Sequence, residues 1–256
     1  MSTGPADVHS DLQSDQDAPL PGLAVPHRAL AVGAHPDDIE FGAGGTLARW
    51  LRDGCRVTML VVTDGSKGTW DPALDPAVLI EMRRREQRAA AEALGGAEVV
   101  HLDHVDGELE ATMALREELC RWIRRCEPDV VLGHDPWLRY QLHPDHRAAG
   151  IGLVDAVVAA RDHLFFPDQA LPAHRPGALL LWSADAPDHH ESIAGTIDVK
   201  ISALLCHTSQ GTTTMGGAEL DDHRRAHFAD RVRSRAREIG REVGMEMAES
   251  FKRLTP

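Results

Sequence analysis

From residue 28 onward, short apolar runs alternate with stretches whose apolar residues recur at helical spacing. The runs at 29–34, 56–63, 98–102, 129–133 and 178–182 are rich in Val, Leu and Ala and have the length of buried strands. Between them, Leu47, Trp50 and Leu51 mark a helix over 44–53, and Leu115, Leu119, Trp122 and Ile123 mark another over 115–125. Longer helices are expected at 77–94 and from near His143 to residue 160, with Pro144 in the first turn of the latter. Gly54 and the pair Gly95 and Gly96 stand where helices should stop. The remaining patterned segments, 197–205 and 218–248, read as helix. Strand and helix in alternation predict an α/β fold, a Rossmann-like three-layer domain with a mainly parallel sheet.

Residues 1–26 carry Ser, Asp, Gly and Pro without a periodic apolar pattern, so a disordered N-terminal tail is expected ahead of one domain over 27–256. The 27 basic and 40 acidic residues give a formal net charge of -13, which disfavours nucleic acid and anionic membrane as partners. Cys55, Cys120, Cys126 and Cys206 form no C-x-x-C pair and read as reduced thiols of a cytoplasmic protein. No apolar run is long enough for a membrane span, and the amino terminus lacks the basic and apolar regions of a signal peptide. Oligomeric state is open, with a homo-oligomer one option.

Polar clusters gather at the ends of the first four strands, which makes that edge of the sheet the working face. At the end of the first come His35, Asp37 and Asp38. Open α/β sheets bind ligands at the carboxyl ends of their strands. A second set, His143, Asp145 and His146, follows the fourth strand. His35 and Asp38 are three apart and converge if the chain turns tightly. His143 and His146, also three apart, lie on one face of a helix. A metal such as zinc takes three protein ligands from His, Asp or Glu and leaves a position for water. Five groups compete for these places, and we assign His35, Asp38 and His146 to the metal, at the carboxyl ends of strands 1 and 4. Gly42, Gly44 and Gly45 suggest a dinucleotide loop, but the third glycine of G-x-G-x-x-G would fall on Leu47. Arg83 and Glu86 read most simply as an exposed helical ion pair.

The stretches AHPDDIEFGAGGTLARW, VTDGSKGT, PDVVLGHDPWLRYQLHPDHR and KISALLCHTSQ, with the R-x-x-E of Arg83 and Glu86, resemble the zinc-dependent PIG-L/LmbE-type N-deacetylase family in order over residues 28–210. The resemblance implies metal-dependent hydrolysis of an N-acyl amide, with removal of acetate from an N-acetylglucosamine-type sugar or glycoconjugate foremost. Alternatives are an amidase acting on a larger thiol conjugate or natural-product intermediate, and a non-catalytic metal- or sugar-binding module. The resemblance further implies Zn(II) on His35, Asp38 and His146; two imidazoles and a carboxylate also suit Fe(II), Co(II) or Mn(II). It makes Asp37 the general base and His143 the group that meets the developing oxyanion or acts as acid, with Asp145 orienting His143. Arg83 and Asp106 fall where similar proteins hold sugar hydroxyls. Some sugar deacetylases of the family carry a tyrosine where this chain has Gln141, next to its only tyrosine, Tyr140.

Overall fold

The computed structural model describes residues 22–211, 213–214 and 221–256. Strands β1 (Arg28–Gly33), β2 (Arg56–Thr63), β3 (Glu98–His104), β4 (Val130–His134) and β5 (Ala178–Trp182) pair in parallel. Two further strands, β6 (His189–Ser192) and β7 (Ala248–Leu254), extend the sheet in antiparallel fashion, giving the order β3-β2-β1-β4-β5-β7-β6. The helices are α1 (Asp38–Arg52), α2 (Pro76–Leu94), α3 (Met113–Cys126), α4 (Pro144–Ala160), α5 (Ile197–Leu204) and α6 (Asp222–Glu242). No helix among the described residues is long and apolar enough to cross a membrane.

Alternation along β1 explains the three layers. Ala29 and Ala31 point into a core shared with Ile39, Leu47 and Trp50 of α1, while Leu30 and Val32 point into a second core with Leu115, Leu119 and Leu153 of α3 and α4. A strand covered on both faces reads as a continuous apolar run because neither face meets water. The expected three-layer α/β fold with a mainly parallel sheet is therefore the fold observed. The chain runs outward in opposite directions from β1 and β4, so a crevice opens between their carboxyl ends.

Three expectations change. Helix α1 begins at Asp38 rather than near residue 44, so Gly42 lies inside it together with Gly44 and Gly45. They are contact points: a Cβ on Gly42 would meet the Trp182 ring at 2.4 Å, and one on Gly45 would meet Ile193 at 2.7 Å. The segment expected as helix over 218–248 contains α6, but residues 218–220 lie outside the described residues and Ala248 already belongs to β7. Residues 1–21 of the expected tail are likewise outside the described residues; Leu23 and Val25 pack against the first core, and the Leu23 N–H donates to Glu191.

Gly42→Ala is expected to destabilise the protein. Alanine gains up to about 1 kcal/mol over glycine inside a helix. The buried Trp182 ring, tied to His134 through its Nε1–H, cannot retreat from a new methyl group. Overpacking of this kind costs about 1–3 kcal/mol, so the clash outweighs the propensity gain. Denaturant unfolding at constant slope checks the sign.

Candidate metal centre and active site

β1 delivers the chain into His35, Pro36, Asp37 and Asp38, and the turn that follows is tight enough for the His35 N–H to reach Asp38 Oδ2 at 2.7 Å. Asp37 takes φ 94°, a left-handed conformation that costs a non-glycine residue about 1–3 kcal/mol. Side chains of α2 hold it there. Arg83 donates to the carbonyls of Pro36 at 2.6 Å and Gly65 at 3.1 Å, and Gln87 Oε1 accepts from the Asp37 N–H at 3.1 Å. Asp37 occupies the cap position of α1, yet its carboxylate makes no capping bond and Oδ2 is buried without a hydrogen-bond partner. A simple capped helix start is thereby ruled out for this residue.

The second cluster comes from the start of α4. His143 is the helix cap, its Nδ1 accepting from the Asp145 N–H at 3.3 Å. An Nδ1 that accepts leaves a neutral ring with its proton on Nε2, a donor. Pro144 sets the first helical residue, and His146 follows on the inward face.

His35 Nδ1 lies 3.2 Å from His146 Nε2 and 3.4 Å from Asp38 Oδ2, and His146 Nε2 lies 3.3 Å from Asp38 Oδ1. Ligand bonds of about 2.0–2.1 Å in a tetrahedron imply ligand-to-ligand edges of about 3.3–3.4 Å. His35 and His146 thus bring two imidazole nitrogens against the Asp38 carboxylate, each facing a different one of its oxygens. Three overlapping sets offer one ligand atom per residue, all within 4.8 Å of one another: His35, His143 and His146; Asp38, His134 and His146; and His35, Asp106 and Asp145. Their extra members have other partners. His143 Nδ1 caps α4. His134 Nδ1 accepts from Trp182 Nε1–H at 3.1 Å, and its Nε2 faces Asp38 Oδ2 at 3.2 Å and the Ala34 N–H at 3.3 Å. Asp106 and Asp145 face His35 Nε2 at 3.2 and 3.1 Å. A carboxylate behind an imidazole fixes its tautomer and leaves the opposite nitrogen for a metal.

The electrostatics also suit a cation. Burial opposes charging His35, but hydrogen bonds to Asp106, Asp145 and Asp38 outweigh it and raise the imidazole to about 11. Burial pushes the Asp38 carboxyl up, yet His134 and His146 hold it well below the usual carboxylate range. Asp37 goes the other way: burial raises it to about 6 against the pull of the Arg83 guanidinium. His143 is lowered, first by burial and then by His35 and His146.

A cavity of about 420 Å³ opens over these groups, walled by His35, Asp37, Asp38, Arg83, Asp106, His143 and His146, with Lys67, Trp70 and Gln210 at its sides. All the site residues expected from the sequence meet here or, for Asp145, directly behind it. Several details differ from expectation. Arg83 and Glu86 are both buried and serve different elements: Arg83 holds the Asp37 turn, and Glu86 accepts from Thr208 and Ser209. The Asp145 carboxylate does not orient His143 by a hydrogen bond; its oxygens accept from the N–H groups of Gly107 at 2.6 Å and Leu109 at 3.2 Å and face His35. Asp106 accepts from the Lys67 N–H as well as facing His35. Trp70, which no sequence pattern singled out, is on the cavity wall. Gln87 was not anticipated; its signal was a polar residue four positions after Arg83 on the buried face of α2, in line with Leu79, Ala90 and Leu94.

Fold and site together define a Rossmann-like α/β protein with a histidine and carboxylate centre at the topological switch point. Residues 30–157 match the family model described as PIG-L, GlcNAc-PI de-N-acetylase. Diacetylchitobiose deacetylase of Thermococcus kodakarensis is 36% identical over 186 residues, covering 72% of this chain and 70% of that protein. The 1D-myo-inositol 2-acetamido-2-deoxy-alpha-D-glucopyranoside deacetylase of Actinosynnema mirum is 32% identical over 241 residues, covering 77% and 85%. Among solved structures, N,N'-diacetylchitobiose deacetylase from Pyrococcus horikoshii, complexed with its inhibitor MPG, aligns with a TM-score of 0.81 at 27% identity, over 90% of this chain and 84% of that one. The chain belongs to the PIG-L family.

Proposed function

We propose that this protein removes the acetyl group from an N-acetylglucosamine-type sugar or glycoconjugate, with a divalent metal, Zn(II) first, held by His35, Asp38 and His146. The observation that carries the reading is the buried Asp37 carboxylate, in the cavity wall with Oδ2 free of hydrogen bonds and 3.7 Å from the Arg83 guanidinium, beside the cluster of His35, Asp38 and His146. When bound, the metal supplies Lewis acidity and brings the pKa of a water toward neutrality. Asp37 takes the proton of the water that attacks the amide carbonyl carbon. His143, neutral and donating from Nε2, meets the negative charge that develops on the amide oxygen, an effect worth about 3–4 kcal/mol in comparable sites. Asp37 then returns its proton to the amine nitrogen as the C–N bond breaks, releasing acetate and the free amino sugar. Arg83 and Asp106 line the same cavity and are assigned to the sugar hydroxyls; the Arg83 guanidinium also stands 3.7 Å from Asp37 Oδ2.

Metal-stripped protein, with and without added Zn(II), should be assayed for acetate release from N-acetylglucosamine, diacetylchitobiose and the inositol conjugate of N-acetylglucosamine. Metal-dependent release from at least one is the expected result. Protein shown to carry metal that releases acetate from none of them overturns the assignment.

A further inference from the structure

Behind the Asp37 turn, on the side away from the cavity, lies a polar set that the proposed hydrolysis does not use. Glu40, Gln87 and His207 are all 0% exposed. Buried polar side chains weaken a fold unless they are partnered, yet Glu40 Oε2 and both ring nitrogens of His207 have no protein hydrogen-bond partner. A set kept at that cost next to a left-handed aspartate has a place in the site.

The order of the contacts shows what it does. The Asp37 N–H donates to Gln87 Oε1 at 3.1 Å, and Gln87 Nε2–H donates to Glu40 Oε1 at 2.5 Å. An amide can present either end, whereas an ionised carboxylate only accepts. Glu40 therefore dictates that Gln87 turns its NH₂ inward and its oxygen toward Asp37. The reversed amide would set a donor against the Asp37 N–H and release the turn. His207 Nε2 stands 3.7 Å from Glu40 Oε1 and is the imidazole that faces this buried carboxylate. Its backbone N–H is fixed to the Leu204 carbonyl, at the end of α5. We propose that Glu40, with His207 behind it, acts through Gln87 as a positioning chain that holds Asp37 in its left-handed conformation and aims its carboxylate into the cavity. None of the three touches the reacting atoms. The inference rests on Asp37 being the base of the proposed function.

The test uses the full-length, metal-loaded protein on whichever acetylated sugar the wild type hydrolyses; wild-type turnover in that assay separates failure of the functional reading from failure of this one. Gln87→Leu keeps the bulk and removes the acceptor. It is expected to lower kcat by about 10- to 100-fold, the scale of a misplaced catalytic group, with KM within twofold and metal content unchanged. The exchange variant Glu40→Gln/Gln87→Glu restores an acceptor for the Asp37 N–H and a donor behind it, and is expected to recover most of the lost kcat. A Gln87→Leu kcat within twofold of wild type overturns the proposal. So does a loss that falls in step with metal content or unfolding midpoint, the mark of a merely structural role. Should Gln87→Leu not fold, the exchange variant decides alone: near wild-type kcat supports the chain, and a folded, metal-loaded, inactive variant overturns it.

Discussion

Asp37→Ala and Asp37→Asn are expected to lose about 10²–10⁴-fold in kcat, the range spanned by general base catalysis, while keeping their metal. The retention follows from the proposed ligand set of His35, Asp38 and His146, which does not include Asp37. The asparagine variant should keep its stability, whereas alanine is less suited to a φ of 94°. Burial raises the Asp37 carboxyl from 3.8 to about 6, so the folded state holds this proton more tightly than the unfolded chain. The charged form is thus a cost to folding that is absent below the unfolded value and fully present above about 6. At pH 7 the asparagine variant removes a buried charge and should unfold no earlier than the wild type. With Asp37 as the proposed base, the same raised value should set the acid limb of activity in the wild type. Since the base must be ionised to work, kcat/KM should fall as pH drops below about 6, or a lower pH once a bound cation favours the anion. Kinetics, metal analysis and thermal unfolding on the two variants provide the check. Turnover within a few-fold of wild type would remove Asp37 from the role of base.

How far the chain could be read in advance depended on whether a residue's partners were close in sequence. Strands β1, β2, β4 and β5 were legible because both faces are covered and the apolar run is nearly unbroken. Gly42 fell outside the helix expected from residue 44, and nothing local announces the Trp182 ring it faces, which arrives from β5. Strand β7, AESFKRL, has a helix-like composition; it becomes a strand because β5 and β6 flank it. Its buried Glu249 receives the N–H groups of Gly45 and Thr46 and the ammonium of Lys200, contacts that no local pattern announces. The site divides in the same way. His35, Asp38, His143 and His146 were readable from spacing, since each pair sits within one turn. Arg83 and Glu86 were misread as a surface pair because their spacing is that of an ion pair, while their partners come from the Asp37 turn and from the segment after α5. Asp145 reaches past its own helix to the loop after β3, and that loop's position is a property of the whole sheet.

Removing a metal ligand should have an effect at least as large as removing the base, with a different signature. His146→Ala removes one of the three proposed ligands, whose Nε2 lies 3.2 Å from His35 and 3.3 Å from Asp38. Loss of bound metal and a fall in kcat/KM on the order of 10³-fold or more are expected, in line with the several kcal/mol that Lewis acid catalysis supplies. Asp145→Asn should be milder. Its side chain supports His35 from behind, and groups in that position typically change metal affinity by about 10- to 100-fold. Metal binding itself should depend on pH. In the metal-free protein His35 is raised to about 11, above its ordinary 6.5, so at neutral pH it holds a proton between Asp38, Asp106 and Asp145. That protonated state stabilises the metal-free fold at and below the unfolded value, and the contribution is lost as pH rises through the folded one. A metal must displace the proton, so affinity should rise by about tenfold per pH unit across neutrality, with about one proton released per metal bound. Calorimetric titration of Zn(II) in buffers of different ionisation enthalpy measures that proton directly. Affinity independent of pH would mean that His35 is neutral before the metal arrives, and that the carboxylates around it are arranged for the ion alone.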